Sequence, residues 1–330
     1  MQVDLDSPWS IGPVGIPSRI VLAPMAGVSV QAFRRQGRRY GAGLVCSEMV
    51  SCAGLRHRNE RTLGYLRIGS DERPLAVQIF GSDPAVMAEA ARMVEDAGAD
   101  IVDINFGCPV KDVTEKAHSG SYLLKDPDRM GRIIEQVVAA CRPVPVTAKI
   151  RLGCSRNNIN AIDVAQVVEG AGAAALTVHG RTAQDMFRGQ ADWDRIASIK
   201  QHLKRIPLIG NGDLDSAEKI ASAFRRYDVD GVMVARACLS KPWLFAQAAA
   251  ALRGEAMPPD PTVEEERRLL LYHYDLVCRR FGEEKGTVLM RKYACCYAQG
   301  RPGAREFRKR VARVESPADF FTVVKEWFPK

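Results

Sequence analysis

Asp103-Ile104-Asn105-Phe106-Gly107-Cys108-Pro109 follows Ile101 and Val102, and the run is bounded upstream by Ala97-Gly98-Ala99-Asp100. Its length and flanks make it a short buried strand, which Gly107 and Pro109 stop at once. A thiol is thereby left at the carboxyl end of a rigid strand, on an accessible loop, where a reactive side chain is best held. A cysteine taken at random is more often a small buried hydrophobe. Here the polar Asn105 precedes it and the lysine-bearing loop Lys111–Lys116 follows it, and both favour chemistry.

Outward from this strand the same alternation recurs. Strands are predicted at Ile20–Ala23, Leu44–Ser47, Leu75–Ile79, Ile101–Asn105, Val146–Ile150, Ala175–His179, Pro207–Gly210 and Gly231–Ala235. Helical patterns lie at Val30–Tyr40, Pro84–Asp96, Pro127–Ala140, Ile162–Glu169, Trp193–His202, Ser216–Arg226 and Pro242–Leu252. Trp9–Ile16 reads as a hairpin-like lead-in, and the link between the second and third strands has room only for an irregular helix. Eight β/α units within residues 1–252 match the ~250 residues of a (β/α)8 TIM barrel. A doubly wound sheet is the competitor. No G-x-G-x-x-G opens a helix after the first strand, which argues against it.

The strand ends carry Met25, Glu48, Gln78, Asn105, Lys149, His179, Asn211 and Arg236. In a barrel these side chains converge on the top face, where the catalytic groups of this fold lie. In an open sheet they would form a line. Asn211-Gly212-Asp213 after the seventh strand and Ala235-Arg236 after the eighth occupy the usual phosphate position of the fold. A phosphate-bearing cofactor with Lys149 and Gln78 at its polar ring edge would suit FMN. A phosphosugar would also suit it.

After Leu252 the composition shifts. Residues 253–261 are a linker by their prolines and glycine, and Thr262 with Glu265 forms a capping box. Helical patterns at Val263–Phe281, Lys285–Ala298, Ala304–Val314 and Ala318–Trp327 make 262–330 an all-helical domain. From Arg291 to Arg313 there are eight basic residues (Arg291, Lys292, Arg301, Arg305, Arg308, Lys309, Arg310, Arg313) against one acid, Glu306. Tyr293 and Tyr297, interleaved with them, point to nucleic acid.

The chain has 330 residues, 46% apolar and 26% charged, with a net charge of +8, which is ordinary for a globular protein with a basic bias. No apolar run approaches the ~18 residues of a membrane span. Met1–Asp6 has neither a basic n-region nor an apolar h-region, so a cytoplasmic location is expected. The nine cysteines contain no C-x-x-C pair and no zinc-ligand spacing, so no metal site is expected.

With these motifs in order, the sequence resembles the tRNA-dihydrouridine synthase family. The resemblance rests on Ala23-Pro24-Met25-Ala26-Gly27, Val77-Gln78-Ile79, Asp103–Pro109, Lys149-Ile150-Arg151, Val178-His179-Gly180-Arg181-Thr182, Asn211-Gly212-Asp213, and Arg236 with Lys241-Pro242-Trp243. It implies an FMN-bearing barrel and a helical tRNA-binding domain. It also implies that NADPH reduces the flavin, that a hydride reaches C6 of a tRNA uracil, and that Cys108 protonates C5. Pro24, Met25 and Ala26 would cradle the flavin, Gln78 and Lys149 would meet its ring edge, and His179 would pack near it. Asn211, Gly212, Asp213, Ala235 and Arg236 would hold the phosphate. Asn105 and Arg181 would contact the uracil; from the basic run itself, Arg291 and Lys292 are expected to contact the tRNA backbone. Family members often have Gly-Arg where this chain has Ala235-Arg236; alanine keeps the N–H. No protein partner is indicated, and a monomer is expected. The alternatives are an FMN oxidoreductase of a small pyrimidine or enone, against which the basic tail argues, and a non-catalytic RNA-binding barrel, against which Cys108 beside Asn105 argues.

Overall fold

The structure, a computed structural model, describes residues 9–329, so Met1–Asp6 and the last residue of the chain lie outside it. Among the described residues eight parallel strands close into a barrel. They are β1 (Ile20–Leu22), β2 (Leu44–Ser51), β3 (Leu75–Phe80), β4 (Ile101–Phe106), β5 (Val146–Arg151), β6 (Ala175–His179), β7 (Leu208–Asn211) and β8 (Gly231–Val234). Each pairs with its neighbours in sequence, and β8 closes on β1 with Val232 opposite Ile20. The TIM barrel is therefore the fold, and the open sheet is excluded.

Strands buried on both faces need continuous apolar runs, and Ile101, Val102, Ile104 and Phe106 are all fully buried. The outer helices are α1 (Gln31–Arg39), α2 (Pro84–Asp96), α3 (Pro127–Ala140), α4 (Ala161–Gly170), α5 (Trp193–Lys200), α6 (Ala217–Arg226) and α7 (Leu244–Arg253). Local chemistry sets the sharpest starts. Asp83 accepts from Val86 N at 2.9 Å ahead of α2 and Asp126 from Arg129 N at 3.0 Å ahead of α3, each with proline in the first turn. A hairpin, Trp9–Ile11 with Val14–Ile16, packs its apolar side against barrel-interior residues such as Val21 and Met233.

Two features depart from the sequence reading. β2 runs on to Ser51, through a register shift against β3 between Cys46 and Met49. After β5, Gly153–Ser155 and Asn158–Ile159 form a small hairpin that the apolar pattern does not show. Between β2 and β3 lie two short helices, Cys52–Arg56 and Glu60–Leu63, in keeping with the expected irregular link.

The C-terminal region is helical: α8 (Val263–Phe281), α9 (Glu283–Tyr297), α10 (Ala304–Val311) and α11 (Pro317–Trp327). Its core, with Phe307, Phe320 and Phe328, also takes in Ala32 of α1 and Trp243 ahead of α7, so these helices pack directly on the barrel. No helix among the described residues is long and apolar enough to cross a membrane.

One buried ion pair fastens α1 to the β2–β3 link. Arg34 Nε donates to Glu72 at 2.6 Å, with side-chain exposures of 4% and 0%. Glu72 also accepts from Gly69 N and Gln31, and Arg34 from its other end donates to Ser29 O. Removing one partner of such a pair strands the other charge in a dry site. Arg34→Met is therefore expected to destabilise the protein by about 3–5 kcal/mol, with Arg34→Met/Glu72→Leu recovering much of the loss. Chemical denaturation of the three proteins decides it; a single variant as stable as the parent would remove the pair from the account of the fold.

Candidate functional site

At the carboxyl ends of the strands a cavity of about 750 Å³ opens. Of the residues expected at the site, Pro24, Met25, Ala26, Asn105, Cys108, Lys149, His179, Arg181, Asn211, Gly212, Asp213, Ala235 and Arg236 line it. Gln78, Arg291 and Lys292 do not line it.

Gln78 is fully buried behind the wall and works through Asn105. Its Nε2 donates to Asp103 at 2.6 Å, and its Oε1 accepts from Asn105 Nδ2 at 2.7 Å. Asn105 Oδ1 then accepts from the backbone N–H of Gly107 at 3.1 Å and of Cys108 at 2.9 Å. An asparagine side chain that closes the next turn in this way fixes the backbone two and three residues on. The thiol is thereby held by a chain of buried hydrogen bonds that starts at Asp103, whose other oxygen accepts from Thr147 at 2.6 Å.

The electrostatics of the cavity are those of crowded cations. Burial lowers Lys149 to about 8, with the Arg151 cation adding to it and Asp103 opposing. Its Nζ donates to Asn211 Oδ1 at 3.1 Å, and Asn211 Nδ2 is held by Met233 O. Burial, then Lys149, Arg151, Arg181 and Arg236, push His179 far below the usual imidazole range, so it is neutral. Burial pushes the Asp213 carboxyl up, but the Ala191 N–H and the Arg181 guanidinium outweigh it and hold the group low. Arg181 spans Asp213 at 2.8 and 2.9 Å and the carbonyl of Gly189 at 2.7 Å. Its guanidinium is thus spent on the loop that Asp213 braces, and it is 3% exposed. Arg236, 60% exposed, lies 4.8 Å above the Phe187 ring.

Cys108 is raised above the ordinary thiol range, by burial first; the Val110 N–H and the Arg151 and Lys149 cations pull the other way. A protonated thiol is a proton donor and a poor nucleophile.

Arg151 and Phe187 are among the cavity residues that carry no role in the sequence reading. Arg151 donates to Gly107 O at 2.9 Å and to Thr182 O and Met186 O at 2.8 Å, tying the thiol's loop to the loop after β6. Its signal was present, since strand alternation puts Arg151 on the face of Lys149. Phe187, 56% exposed at the mouth, lies in a loop with no period to reveal it.

Contrary to the expectation from the sequence, the two tyrosines of the basic run do not face nucleic acid. Tyr293 and Tyr297 are 6% and 2% exposed and stand in the helical core, so neither can stack on a base. Tyr293 stacks on His273 with centroids 5.0 Å apart, and the Tyr297 hydroxyl contacts His273 Nδ1 at 3.0 Å. Most of the basic run is committed as well. Arg291 donates to Val314 O at 2.6 Å and Lys292 to Gly27 O at 2.7 Å. Arg301 pairs with Glu266, Arg310 with Glu326 and Lys309 with Glu306.

A closed parallel barrel whose mouth gathers a protonated thiol, a neutral imidazole and several cations has the donors that an anionic ligand needs. The sequence model of the dihydrouridine synthase family matches residues 21–329. The chain belongs to the dihydrouridine synthase family, and so to the oxidoreductases. The tRNA-dihydrouridine synthase B of Pseudomonas aeruginosa is 43% identical over 320 residues, covering 96% of this chain and 95% of that protein. A probable tRNA-dihydrouridine synthase of Rickettsia conorii is 39% identical over 324 residues, covering 96% and 97%. Among solved structures, histamine dehydrogenase from Rhizobium sp. 4-9 superposes with a TM-score of 0.59 at 12% identity, over 82% of this chain and 51% of its own. A 2-naphthoyl-CoA reductase does so with 0.60 at 13%, over 77% and 53%. At such identities the likeness is one of fold.

The raised Cys108 can be tested directly. Alkylation with iodoacetamide, followed by peptide mapping across pH, is expected to show a midpoint for Cys108 above the ~8.5 of a free thiol. Because the Lys149 cation lowers this thiol, Lys149→Met should move the midpoint further up. A midpoint below that of a free thiol would make Cys108 a thiolate and reverse its role.

Proposed function

We propose that the protein is an FMN-dependent tRNA-dihydrouridine synthase, reducing the C5=C6 bond of a uridine in tRNA in the cytoplasm with NADPH as reductant. The observation that carries the reading is Cys108, a proton-bearing thiol fixed by Asn105 on the cavity wall beside cationic groups. The names of the relatives from Pseudomonas and Rickettsia support the substrate.

The residues present fit a flavin mononucleotide. The cavity is within the ~300–1,000 Å³ of cofactor sites. Lys149 and Asn211 offer polar contacts to a ring edge, and Arg236 with the backbone N–H groups around Gly212 and Ala235 offers donors to a phosphate. At Gly212, with φ of +136°, an added Cβ would lie 2.5 Å from the Ala191 side chain, so glycine is required there. When bound, FMN reduced by NADPH supplies the hydride that C6 of the uracil takes up.

The protein's own part is positional and protonic. Cys108 Sγ gives its proton to C5 and is reprotonated from solvent. Asn105 holds the thiol's backbone, and Arg151 holds the loop that carries it. Neutral His179 adds no further charge to the four cations around it. The uracil must leave its stack to enter the cavity.

For the tRNA backbone, Arg305 and Arg313 are exposed cations with no acidic partner among the described residues, unlike Arg301 and Arg310. Neutralising both is expected to weaken tRNA binding and to lower the log–log salt slope by ~0.7–0.9 per lost contact. Filter binding across a salt series measures it; unaltered affinity and slope would place the RNA elsewhere.

The reaction is tested through the thiol. The purified protein should show oxidised-flavin absorbance that NADPH bleaches, and should reduce bulk tRNA but not free uridine. Cys108→Ala should keep the absorbance and the bleaching while dihydrouridine formation falls ~10²–10⁴-fold, the usual weight of a general acid. If the variant loses flavin in step with turnover, the thiol is structural.

A further inference from the structure

The cavity wall between β1 and α1 is a tight turn. The Ser29 hydroxyl donates to Ala23 O and accepts from Met25 N, both at 2.9 Å, and Met25 O accepts from Val28 N at 3.0 Å and Ser29 N at 2.9 Å. Gly27 stands at the tip with φ of +69°, in the left-handed region. Its own peptide groups are gripped from outside the turn. The N–H donates to Glu48 Oε1, within β2. The carbonyl accepts from Lys292 Nζ at 2.7 Å, from a helix 265 positions away in sequence. The fit is close, since a Cβ on Gly27 would lie 2.5 Å from Lys292 Nζ. Glu48 is 5% exposed, and no described side chain but the cations around it, Arg34, Lys292 and Arg280, offsets its charge. Ala26 and Val28, on either side of Gly27, line the cavity.

We propose that Glu48 and Lys292 are positioning residues that clamp Gly27 from two sides, so that the shape of the cofactor cradle, and with it cofactor affinity, depends on the helical region being docked. The inference rests on the reading of the cavity as a flavin site. It assigns Lys292 to the barrel's backbone, where the sequence assigned it to RNA. The Lys292 side chain is exposed, yet its ammonium is directed at the cradle's carbonyl. Lys292 lies on α9 next to Tyr293 of the helical core, so its bond to Gly27 O ties the cradle to the placement of that helix.

The experiment is an FMN titration of full-length apoprotein, read by quenching of flavin fluorescence, with the visible spectrum of the bound flavin and the melting temperature of the apoprotein recorded alongside. Lys292→Met is expected to raise the FMN Kd about five- to tenfold, the weight of one charge-assisted bond at a partly solvated site. It should also alter the bound-flavin spectrum while leaving the apoprotein melting temperature in place. Lys292→Arg, which can still donate to Gly27 O, should restore both. Glu48→Ala should weaken FMN in the same direction. Wild-type affinity in Lys292→Met, with tRNA binding reduced instead, would overturn the clamp and return the lysine to RNA. Loss of affinity that comes only with a lower melting temperature and is not rescued by arginine would also overturn it. A wild-type protein that takes up no FMN would overturn the flavin reading itself, an outcome distinct from either.

Discussion

The carboxylate of Asp103 is the fixed point of the site. It is 4% exposed at the middle of β4, and burial pushes it up while the hydrogen bonds from Thr147 and Gln78 and the charge of Lys149 pull it back. A buried acceptor of this kind is tolerable only with its partners in place. Its demand orients Gln78, Gln78 orients Asn105, and Asn105 sets the backbone of Cys108. Each link has a single good geometry, so the thiol's position is inherited from a carboxylate three hydrogen bonds away. A loop cysteine without such support would occupy many rotamers and serve no reaction well.

Charge is the second constraint. The cavity carries Lys149, Arg151, Arg181 and Arg236, with Asp213 paired to Arg181 at 2.8 Å and lying 4.0 Å from Arg236. Lys149 shows the cost. With its folded value lowered to about 8 from an unfolded ~10.4, holding its charge disfavours the folded state. That penalty is complete below about pH 8 and fades as pH rises through the interval to ~10.4. An anionic ligand near Lys149 would offset it, so ligand and stability are linked. Burial, and after it the same crowding, keeps His179 neutral, and the cations near Cys108 hold its rise in check.

Much of this was legible because a barrel writes its site into strand ends. Ala175–His179 was found to the residue, and α2 and α3 also, since Asp83-Pro84 and Asp126-Pro127 mark their starts without ambiguity. Thirteen of the sixteen expected site residues line one cavity because the closed sheet converts spacing along the chain into proximity. Gln78 was placed one layer too far forward, because alternation tells the face of a strand and not the depth. Two things about the basic tail do not show along the chain, the burial of its tyrosines and the partners of its cations. Met290, Tyr293, Ala294 and Tyr297 recur at helical spacing, which marks a buried stripe, and the cations between them are what such a helix leaves outside. The acids that pair with Arg301 and Arg310, Glu266 and Glu326, come from other helices and cannot be paired by reading along the chain.

The helical region and the barrel meet on α1, and polar groups give that meeting its register. Tyr297 donates to Gln36 Oε1 at 2.7 Å, with Gln36 fully buried and Tyr297 in contact with His273, itself 1% exposed. Arg280 of α8 reaches Gly64 O and Gln31. An apolar face alone would let two helices slide by a turn at little cost, because methyl groups have many near-equivalent partners. A buried hydroxyl has one, and displacing it leaves two polar groups unpaired in a dry interface. The price is visible in Gln36 Nε2 and His273 Nε2, which find no partner among the described residues. With α9 so registered by Tyr297, Lys292 one turn and a residue earlier can meet Gly27 only at the place where it does. The core of the helical region and the wall of the cavity are thus parts of one mechanical unit, joined through α1.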